Sequence, residues 1–531
     1  MKNNLTIIIA ILLVFCGRIN GQPAGALDTT FNHTGKVVYD NALQDLYNDV
    51  KVQTDGKIVA TGASMSSSYA PWVEVSRLLP DGSFDPSFGT NGFFTLSYKA
   101  ECGAYKFIIK DNGKILVCGY ATDYTEYGVL LFQLNEDGTL DPAFGDSGIV
   151  YQPTGLTGGF PSNFYAMALQ TDQKIIVAGY LTDNTYNQIP VVLRFTETGL
   201  LDVTFGTNGI AGIPVTQTDN TFSAIALQSD GKILAAGHIS NGLSWFSLLI
   251  ARFDPNGNLD TGYGSGGIVN LNLNNVDDKF FDLRVLSGNE TVLTGVTVSQ
   301  ADLYYHMLLM RFDNTGVPDA TFGTNGSVIF GDVPYTVGYA MITQPDGKIL
   351  VSGVTGDLQP ASNEWALWRF NMDGSPDLSF GNSGLVTTDF FGHSQEALGI
   401  ALYEDKIILA GKTRNTTDYL DFAVARYVND LNVTASVKEI TSTLTFTVSP
   451  NPVKRNGLVR LEYELKKEGG ISIELLSSAG IPVKELLLGK QPAGKHSYPF
   501  LLPSNVSAGV FFLRISGSGF TNRTVKLVVI D

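Results

Sequence analysis

The chain repeats one short motif seven times at nearly constant spacing, and this repeat restricts the fold more than any other feature. The motif reads SFDPSFGTNG at residues 83–92 and TLDPAFGDSG at residues 139–148. Its aspartates lie about 58 residues apart, at Asp28, Asp85, Asp141, Asp202, Asp260, Asp319 and Asp377. Repeats of this length are typical of solenoids, propellers and arrays.

Each period predicts four β-strands and no helix. Two apolar runs flank a tight turn, as in AIALQSDGKILAAG at residues 224–237, where Asp-Gly between apolar runs is a strong hairpin signal. A third strand usually ends in arginine and an aromatic residue, as at Arg252-Phe253, and a fourth strand follows the motif. No stretch keeps a 3.6-residue apolar period, so the predicted fold class is all-β.

The two ends of the repeat region distinguish a closed ring from an open rod. The region begins with a motif and a lone fourth strand at residues 36–39, and it ends near Tyr427 after only three strands. In a closed propeller the early strand completes the last blade, whereas a solenoid would need capping repeats. The sequence therefore predicts a seven-bladed β-propeller over residues 22–429.

These repeats resemble a known family. The pattern LDxxFGxxG, then ALQxDGKIxxAG and a closing xRF strand, resembles the delta-60 repeat, a propeller-forming unit of unknown function in bacterial surface and secreted proteins. The local departures are Asn32 for the glycine of FG, Tyr263 for phenylalanine, and Pro318 and Pro376 for leucine. The resemblance implies a fold and no activity.

The N-terminus, the net charge and the cysteines indicate in which cellular compartment the chain works and which partners suit it. Residues 1–21 are charged, then apolar, then polar, which predicts a cleaved signal peptide, and no other run is long enough to span a bilayer. The net charge of −16 argues against nucleic acid and anionic membranes as partners. Cys102 and Cys118 are predicted to be buried free thiols, because the hairpin between them would place Cys118 opposite Phe107.

A linker at residues 430–444 separates the repeats from a different C-terminal segment. Short alternating runs parted by Gly, Pro and Asn predict a small antiparallel β-sandwich at residues 445–531. The order of its motifs resembles the C-terminal sorting domain of type IX secretion in the Bacteroidota. The matching stretches are Pro450-Asn451-Pro452, Ala493-Gly494 before His496, 508–512 and 526–529. The resemblance implies the type IX translocon as a partner, and a protein secreted or held at the cell surface.

Catalytic and metal-binding patterns are scarce. The five histidines show no metal-ligand spacing, and the chain has neither a GxSxG elbow nor a phosphate loop, so no catalytic residue or cofactor is predicted. Oxygen side chains alternate around a glycine before several motifs, a pattern that calcium can use. Turn conformation alone explains the same residues, and the sequence favours that explanation. The residues concerned are Asp254, Asn256, Asp260, Asn371, Asp373 and Asp377.

The recurring charged and aromatic residues of the motif predict structural roles. The arginine that ends most third strands is expected to pair with the repeat aspartate, for example Arg252 with Asp260. Gln133 stands in the arginine position before Asp141, so the pair is not needed in every blade. The motif phenylalanine is expected to fill the core between neighbouring blades.

Two classes of function remain open from the sequence. The favoured one is a non-enzymatic binding module that holds a glycan or protein ligand on one propeller face. Irregular inserts rich in tyrosine and tryptophan would form that face. They are residues 63–71, 122–128, 181–190 and 354–365. The alternative is a secreted carbohydrate-active enzyme with a site at the propeller centre, for which clustered carboxylates there would be the sign.

Overall fold

The computed structural model divides the chain into two compact bodies, residues 1–431 and 432–531. It describes residues 22–530 except 67–69, 155–161, 184, 216–217, 241, 243–244, 274–275, 358–362, 416–418, 431–445, 466–468, 477–481, 504–505, 507 and 518–522. The predicted signal peptide and nearly all of the predicted linker lie outside the described residues. Among those described, every regular element is a strand, and no helix is long and apolar enough to cross a membrane.

The N-terminal body consists of seven four-stranded antiparallel sheets, which we call blades. Blade 1 is β2 (Gln44–Val52), β3 (Ile58–Met65), β4 (Pro71–Leu78) and β5 (Phe93–Leu96), and blade 2 is β6 (Glu101–Ile109), β7 (Ile115–Thr122), β8 (Tyr127–Leu134) and β9 (Ile149–Pro153). Blade 3 is β10 (Asn163–Leu169), β11 (Ile175–Thr182), β12 (Gln188–Phe195) and β13 (Ile210–Gly212). Blade 4 is β14 (Thr221–Leu227), β15 (Ile233–Ser240), β16 (Phe246–Phe253) and β17 (Ile268–Leu271).

The remaining blades keep the same order of strands, except that the last one is completed from the other end of the chain. Blade 5 is β18 (Asp277–Val285), β19 (Thr291–Val298), β20 (Tyr305–Phe312) and β21 (Ser327–Phe330). Blade 6 is β22 (Tyr335–Thr343), β23 (Ile349–Gly356), β24 (Glu364–Phe370) and β25 (Leu385–Thr388). Blade 7 is β26 (Gln395–Tyr403), β27 (Lys406–Arg414) and β28 (Leu420–Val428), with the N-terminal β1 (Lys36–Tyr39) antiparallel to β28.

The blades form a closed ring, as the position of the lone N-terminal strand predicts. A separate hydrophobic cluster fills each of the seven junctions, including the one between blades 7 and 1. The motif aromatic residue of each repeat is at most 1% exposed and lies in such a cluster. The prediction that this residue fills the space between blades is therefore confirmed. An all-β ring of this kind is a β-propeller.

The residue at which the motif meets the next blade needs a positive φ. The backbone N–H of Gly89 donates to the carbonyl of Asp137 in the following repeat, at 2.7 Å. Gly89 has φ +51°, and a Cβ there would lie 2.1 Å from the carbonyl oxygen of Phe93. In the first repeat Asn32 makes the same bond to Asp81 at φ 46°, and asparagine is among the few residues that tolerate this conformation.

The hairpin that contains the two cysteines is offset by one residue from the prediction. Lys110 donates its N–H to the carbonyl of Lys114, so the turn is one residue wider than an Asp111–Lys114 pairing would make it. Val117 therefore lies opposite Phe107, and Cys118 lies opposite Lys106. Both cysteines are free and buried, as predicted.

The C-terminal body contains two sheets with a common core. One sheet consists of β29 (Phe446–Ser449), β31 (Leu458–Leu465) and β34 (Gly494–Leu501), and the other of β30 (Val453–Lys454), β32 (Gly469–Leu476), β33 (Pro482–Gln491), β35 (Gly509–Gly517) and β36 (Arg523–Ile530). Leu461 of the first sheet and Ile473 and Leu527 of the second belong to one buried cluster.

One pairing in this body differs from the antiparallel prediction, because β30 runs parallel to β36. The Asn451 side chain stands at this junction, where its amide donates to the carbonyl of Lys526 at 2.7 Å and its oxygen accepts the N–H of Val528 at 2.9 Å. Two of the motifs singled out in the sequence therefore meet.

Candidate functional site

Each repeated motif forms a joint between neighbouring blades. In blade 4, Arg252 Nε donates to Asp260 Oδ2 at 2.8 Å, which confirms the predicted pair. Lys232, from the hairpin turn, approaches the same oxygen to 3.0 Å, and the guanidinium lies 4.5 Å from the ring centre of Tyr263. Arg252 NH1 then donates to the carbonyl of Asn314 in blade 5. The arginine thus fixes its own motif and the turn of the next blade.

Blade 2 shows how the joint persists without arginine. Gln133 Nε2 donates to Asp141 Oδ2 at 2.6 Å, and Lys114 reaches the same oxygen at 2.7 Å. Burial alone would raise the pKa of Asp141, but Lys114 and the hydrogen bonds lower it overall. The lysine therefore supplies the positive charge that glutamine lacks. Sequence reasoning missed the role of this lysine, although a lysine follows the turn in six of the seven hairpins.

Replacing Asp260 by Asn should destabilise the ring. The change leaves the nearly buried Arg252 without its carboxylate, and we expect the free energy of unfolding to fall by about 1–3 kcal/mol. Asp230→Asn is the matched control, because Asp230 pairs only with the same lysine and its side chain is 43% exposed. Thermal unfolding of both variants checks this. Equal melting temperatures for Asp260→Asn and the parent chain would contradict the structural role of the pair.

The residues of the calcium alternative are engaged in turns and ion pairs. Asp254 Oδ1 accepts the N–H groups of Asn256 and Asn258, at 2.8 and 2.9 Å. Asp373 Oδ1 accepts the N–H and hydroxyl of Ser375, at 2.9 and 2.6 Å. Among the described residues no group of three or more His, Cys, Asp or Glu side chains is arranged to hold a metal ion.

The two repeat aspartates of that alternative, together with Asn371, have protein partners as well. Asp377 accepts Arg369 Nε at 2.7 Å and lies 2.8 Å from Lys348, while Asp260 belongs to the joint described above. The Asn371 amide donates to the hydroxyl of Ser375 at 3.0 Å. The side chains of all three residues therefore form hydrogen bonds or ion pairs within the protein.

The opposite end of the ring carries the connections between second and third strands and those from each fourth strand to the next blade. We call it the loop face, and the end with hairpin turns and motifs the motif face. Among the described residues of the ring, five aromatic side chains are more than a third exposed, and all five lie on the loop face. They are Tyr124, Tyr186, Trp245, Phe391 and Tyr419. The exposed large side chains of the motif face are aliphatic, as at Leu200 and Leu378.

A second layer of aromatic residues lies towards the ring axis. The first strand of each blade has a bulge, and the bulge residue is aromatic in blades 2, 3, 5 and 6. Tyr105 and Tyr165 lie edge to face with ring centres 4.9 Å apart, and Tyr335 and Tyr339 join their hydroxyls at 3.1 Å. Burial, followed by nearby tyrosines, raises the pKa of Tyr105, so this hydroxyl stays protonated at neutral pH.

The channel along the ring axis is narrow and its charges are paired. Asp49 lies 3.1 Å from Lys51 and 3.7 Å from Lys106, and Asp282 lies 2.7 Å from Arg284. Asp282 also accepts the N–H of Met341 in the next blade at 2.9 Å. The cavity that these residues line measures about 90 Å³, which is room for about three waters.

The four inserts predicted from the sequence lie on one face of the ring, although the structure describes three of them only in part. All four inserts join second and third strands, so they share the loop face. Residues 67–69, 184 and 358–362 within them lie outside the described residues. The bulge tyrosines were not predicted, because a bulge changes the side to which a strand residue points and the sequence does not mark its position.

This architecture is that of a β-propeller in which the repeated motifs join neighbouring blades. Five stretches match the family profile described as "Domain of unknown function (DUF5122) beta-propeller": residues 53–88, 110–144, 170–205, 228–263 and 344–380. Each runs from the end of a first strand to the motif aromatic. The chain thus carries DUF5122 propeller repeats across residues 53–380. No curated protein matches the chain significantly.

Solved structures resemble the chain only distantly. A fungal alcohol oxidase of the AA5 family is 11% identical, covers 93% of this chain and 98% of its own, and has a TM-score of 0.41. The polysaccharide lyase Uly1 is 10% identical with coverages of 74% and 91% and a TM-score of 0.42. The β-propeller domain of the Trilobed protease from Pyrococcus furiosus is 10% identical with coverages of 72% and 94% and a TM-score of 0.36.

Proposed function

We propose that this chain is an exported seven-bladed β-propeller whose loop face binds a glycan or protein ligand without catalysis. The observation that carries the proposal is that all five well-exposed aromatic side chains in the described part of the ring lie on that face. Tyrosine and tryptophan offer large amphipathic surfaces at low conformational-entropy cost, and they stack on sugar rings and protein side chains. The motif face lacks such residues among those described.

The narrow channel favours binding over the enzymatic alternative. A glycosidase-like site needs two carboxylates and space for a sugar ring between them. Asp49 and Asp282 each face a lysine or arginine, and their cavity of about 90 Å³ is far below the 300–1,000 Å³ of typical ligand pockets. Turnover of a polysaccharide by the purified chain would overturn this part of the proposal.

Loss of the exposed aromatics should abolish ligand binding. The mature chain, residues 22–531, is first screened on arrays of glycans and surface proteins. For the best ligand we expect the triple variant Tyr124→Ala, Tyr186→Ala, Trp245→Ala to bind at least tenfold more weakly, as about 1–3 kcal/mol per stacking residue would allow. Leu200→Ala with Leu378→Ala on the motif face is the matched control. If the control weakens binding and the triple variant does not, the loop face is the wrong surface.

The export part of the proposal rests on both chain ends. The signal-peptide pattern and the resemblance of the C-terminal body to a type IX sorting domain together support delivery to the cell surface or the medium. Deleting residues 446–531 in a host with that secretion system should trap the ring in the periplasm. Fractionation and blotting of the full and shortened chains check the outcome, and equal surface delivery of both would contradict it.

A further inference from the structure

A buried glutamate interrupts the apolar packing at one junction of the ring. Glu74 lies in the middle of β4, and only 1% of it is exposed. In the other blades the corresponding position, three residues before the arginine or glutamine of the joint, is apolar and buried. It holds Leu130, Val191, Leu249, Leu308, Ala366 and Ala423. Since six blades use an apolar residue here, the fold itself does not require a carboxyl group.

Few interactions offset the free-energy cost of burying the Glu74 carboxyl group. The indole nitrogen of Trp72 donates to Oε2 at 3.3 Å, and no other hydrogen bond to the Glu74 carboxyl group arises from the described residues. The nearby Asp45 and Asp421 are buried as well, and each is at most 3% exposed. No described lysine or arginine forms an ion pair with any of the three. This junction therefore concentrates carboxyl groups that have no ion-pair partner in the described part of the chain.

Glu74 borders a groove at the outer edge of the ring. The groove measures about 880 Å³ and runs between the outer strand of blade 7 and the motifs of blades 1 and 2. Glu74 lines it together with three half-buried rings. Tyr39 stacks on Phe93 with ring centres 4.8 Å apart and meets Phe84 edge to face at 5.1 Å.

A corresponding groove on blade 5 provides an internal comparison. It has nearly the same size, about 820 Å³, and is lined by Leu271, Met310 and Val328 instead of aromatic rings. The residue of blade 5 that corresponds to Glu74 in the repeat is Leu308. Aromatic rings and a carboxyl group therefore occur together in one of these two grooves and not in the other.

We propose that the groove over Glu74 binds an organic ammonium ion, with the Glu74 carboxylate as counter-ion and the rings of Tyr39, Phe84 and Phe93 as cation–π partners. An ammonium group is attracted by ring faces within about 6 Å, and more strongly when both are removed from water. The buried carboxylate gains the cation that its surroundings lack. The volume suits a small ligand or the end of a lysine side chain. This site lies at the outer edge of the ring and does not depend on the proposed function.

Ammonium binding should strengthen as the pH rises. Burial, followed by the charge of Asp45, raises the pKa of Glu74 to about 8, so the empty groove holds a protonated carboxyl at neutral pH. Tyr39, Asp45, Asp421 and Asp40 are the other titrating groups that face this junction, and none of them is a cation. A bound cation needs the ionised carboxylate, so its binding releases the Glu74 proton. The affinity for the cation therefore rises with pH until Glu74 is already ionised in the ligand-free protein.

Calorimetric titration of the mature chain with choline tests the proposal. At pH 9 choline should bind at least tenfold more tightly than 3,3-dimethyl-1-butanol, its uncharged isostere, and at least fivefold more tightly than at pH 7. Nα-acetyl-lysine methylamide in a parallel titration distinguishes a lysine side chain from a small quaternary ammonium. Equal affinity for choline and the isostere would overturn the proposal.

Two variants locate the binding. Glu74→Leu introduces a residue type found at this position in other blades, so it should fold and bind choline at least tenfold more weakly. Glu136→Gln, at an exposed position, is the control and should leave choline affinity unchanged. If Glu74→Leu folds and binds choline as the parent does, the groove is not the site. If Glu74→Leu fails to fold, Phe93→Leu serves in its place and should likewise lose affinity.

Discussion

A chain ending at Val428 should be markedly less stable than one ending at Asp430, although the two differ by only two residues. The Arg369 guanidinium is completely buried, and it donates to Asn429 Oδ1 at 3.0 Å and to the carboxylate of Asp430. The N–H of Asn429 also donates to the carbonyl of Asp405. Removing these acceptors leaves a buried charge partly unpaired, which should lower the free energy of unfolding by about 2–4 kcal/mol.

The reason is that the chain ends interrupt the ring next to blade 6. In the other arginine-bearing blades, this arginine donates to a backbone carbonyl in the turn of the following blade, as Arg194 does to Pro255 at 2.6 Å. At blade 6 the following turn is interrupted by the chain ends. Asn429 and Asp430 replace its carbonyl, while Ala24 accepts the N–H of Gly381.

Denaturant unfolding of chains 22–428 and 22–430, together with the full-length double variant Asn429→Ala, Asp430→Ala, measures the effect. The double variant separates the loss of these side chains from the new terminal carboxylate at Val428. Unfolding midpoints that agree for all three chains would contradict the role of the two residues. If the C-terminal body is removed after export, we expect the cut to fall beyond Asp430.

Glu74→Leu should raise stability at alkaline pH and flatten its pH dependence. The folded-state pKa of Glu74 is raised from 4.5 to about 8, so the protonated form is favoured by folding. The free energy of unfolding then falls as pH rises from about 4.5 to 8, since the unfolded chain ionises first. Because the shift is large and the group is buried, we expect a gain of about 2–4 kcal/mol for the variant at pH 8.5.

The pH series also has an internal check. Burial, followed by the nearby Asp40, raises the pKa of Asp421 to about 6, so some loss of stability between about pH 4 and 6 should remain in Glu74→Leu. Glu136→Gln is the exposed control and should follow the parent curve. The free energy of unfolding at pH 4.5 and 8.5 checks this prediction. If it changes equally for Glu74→Leu and the parent, the pKa of Glu74 is not raised by folding.

Most of the ring could be predicted from the sequence because its information is repeated. Seven copies of the motif average out local irregularities, and the early strand at residues 36–39 has only one place in a closed ring. The Arg252–Asp260 pair was predictable for the same reason, since both residues recur at a constant separation. Even the thiol state of Cys102 and Cys118 followed, although the pairing of that hairpin was offset by one residue.

The candidate sites could not be predicted, because they depend on positions where the repeats differ. A bulge turns Tyr105 and Tyr339 towards the axis, and bulges have no clear sequence signal. Glu74 appears in the sequence as a single acid in the apolar run PWVEV, which is also how an exposed strand residue appears. Only the packing of blade 7 against blade 1 shows that this glutamate is buried, and three of the four strands of blade 7 lie more than three hundred residues further along the chain.

The pairing of β1 with β28 also determines when the ring can form. A chain that emerges from a ribosome or a translocon with its N-terminus first presents Lys36–Tyr39 nearly four hundred residues before its partner strand at Leu420–Val428. Until that partner arrives, Asp28 lacks Arg426 and Phe31 lacks its junction. The ring can therefore close only after β28 has emerged, when the C-terminal body alone remains to be made.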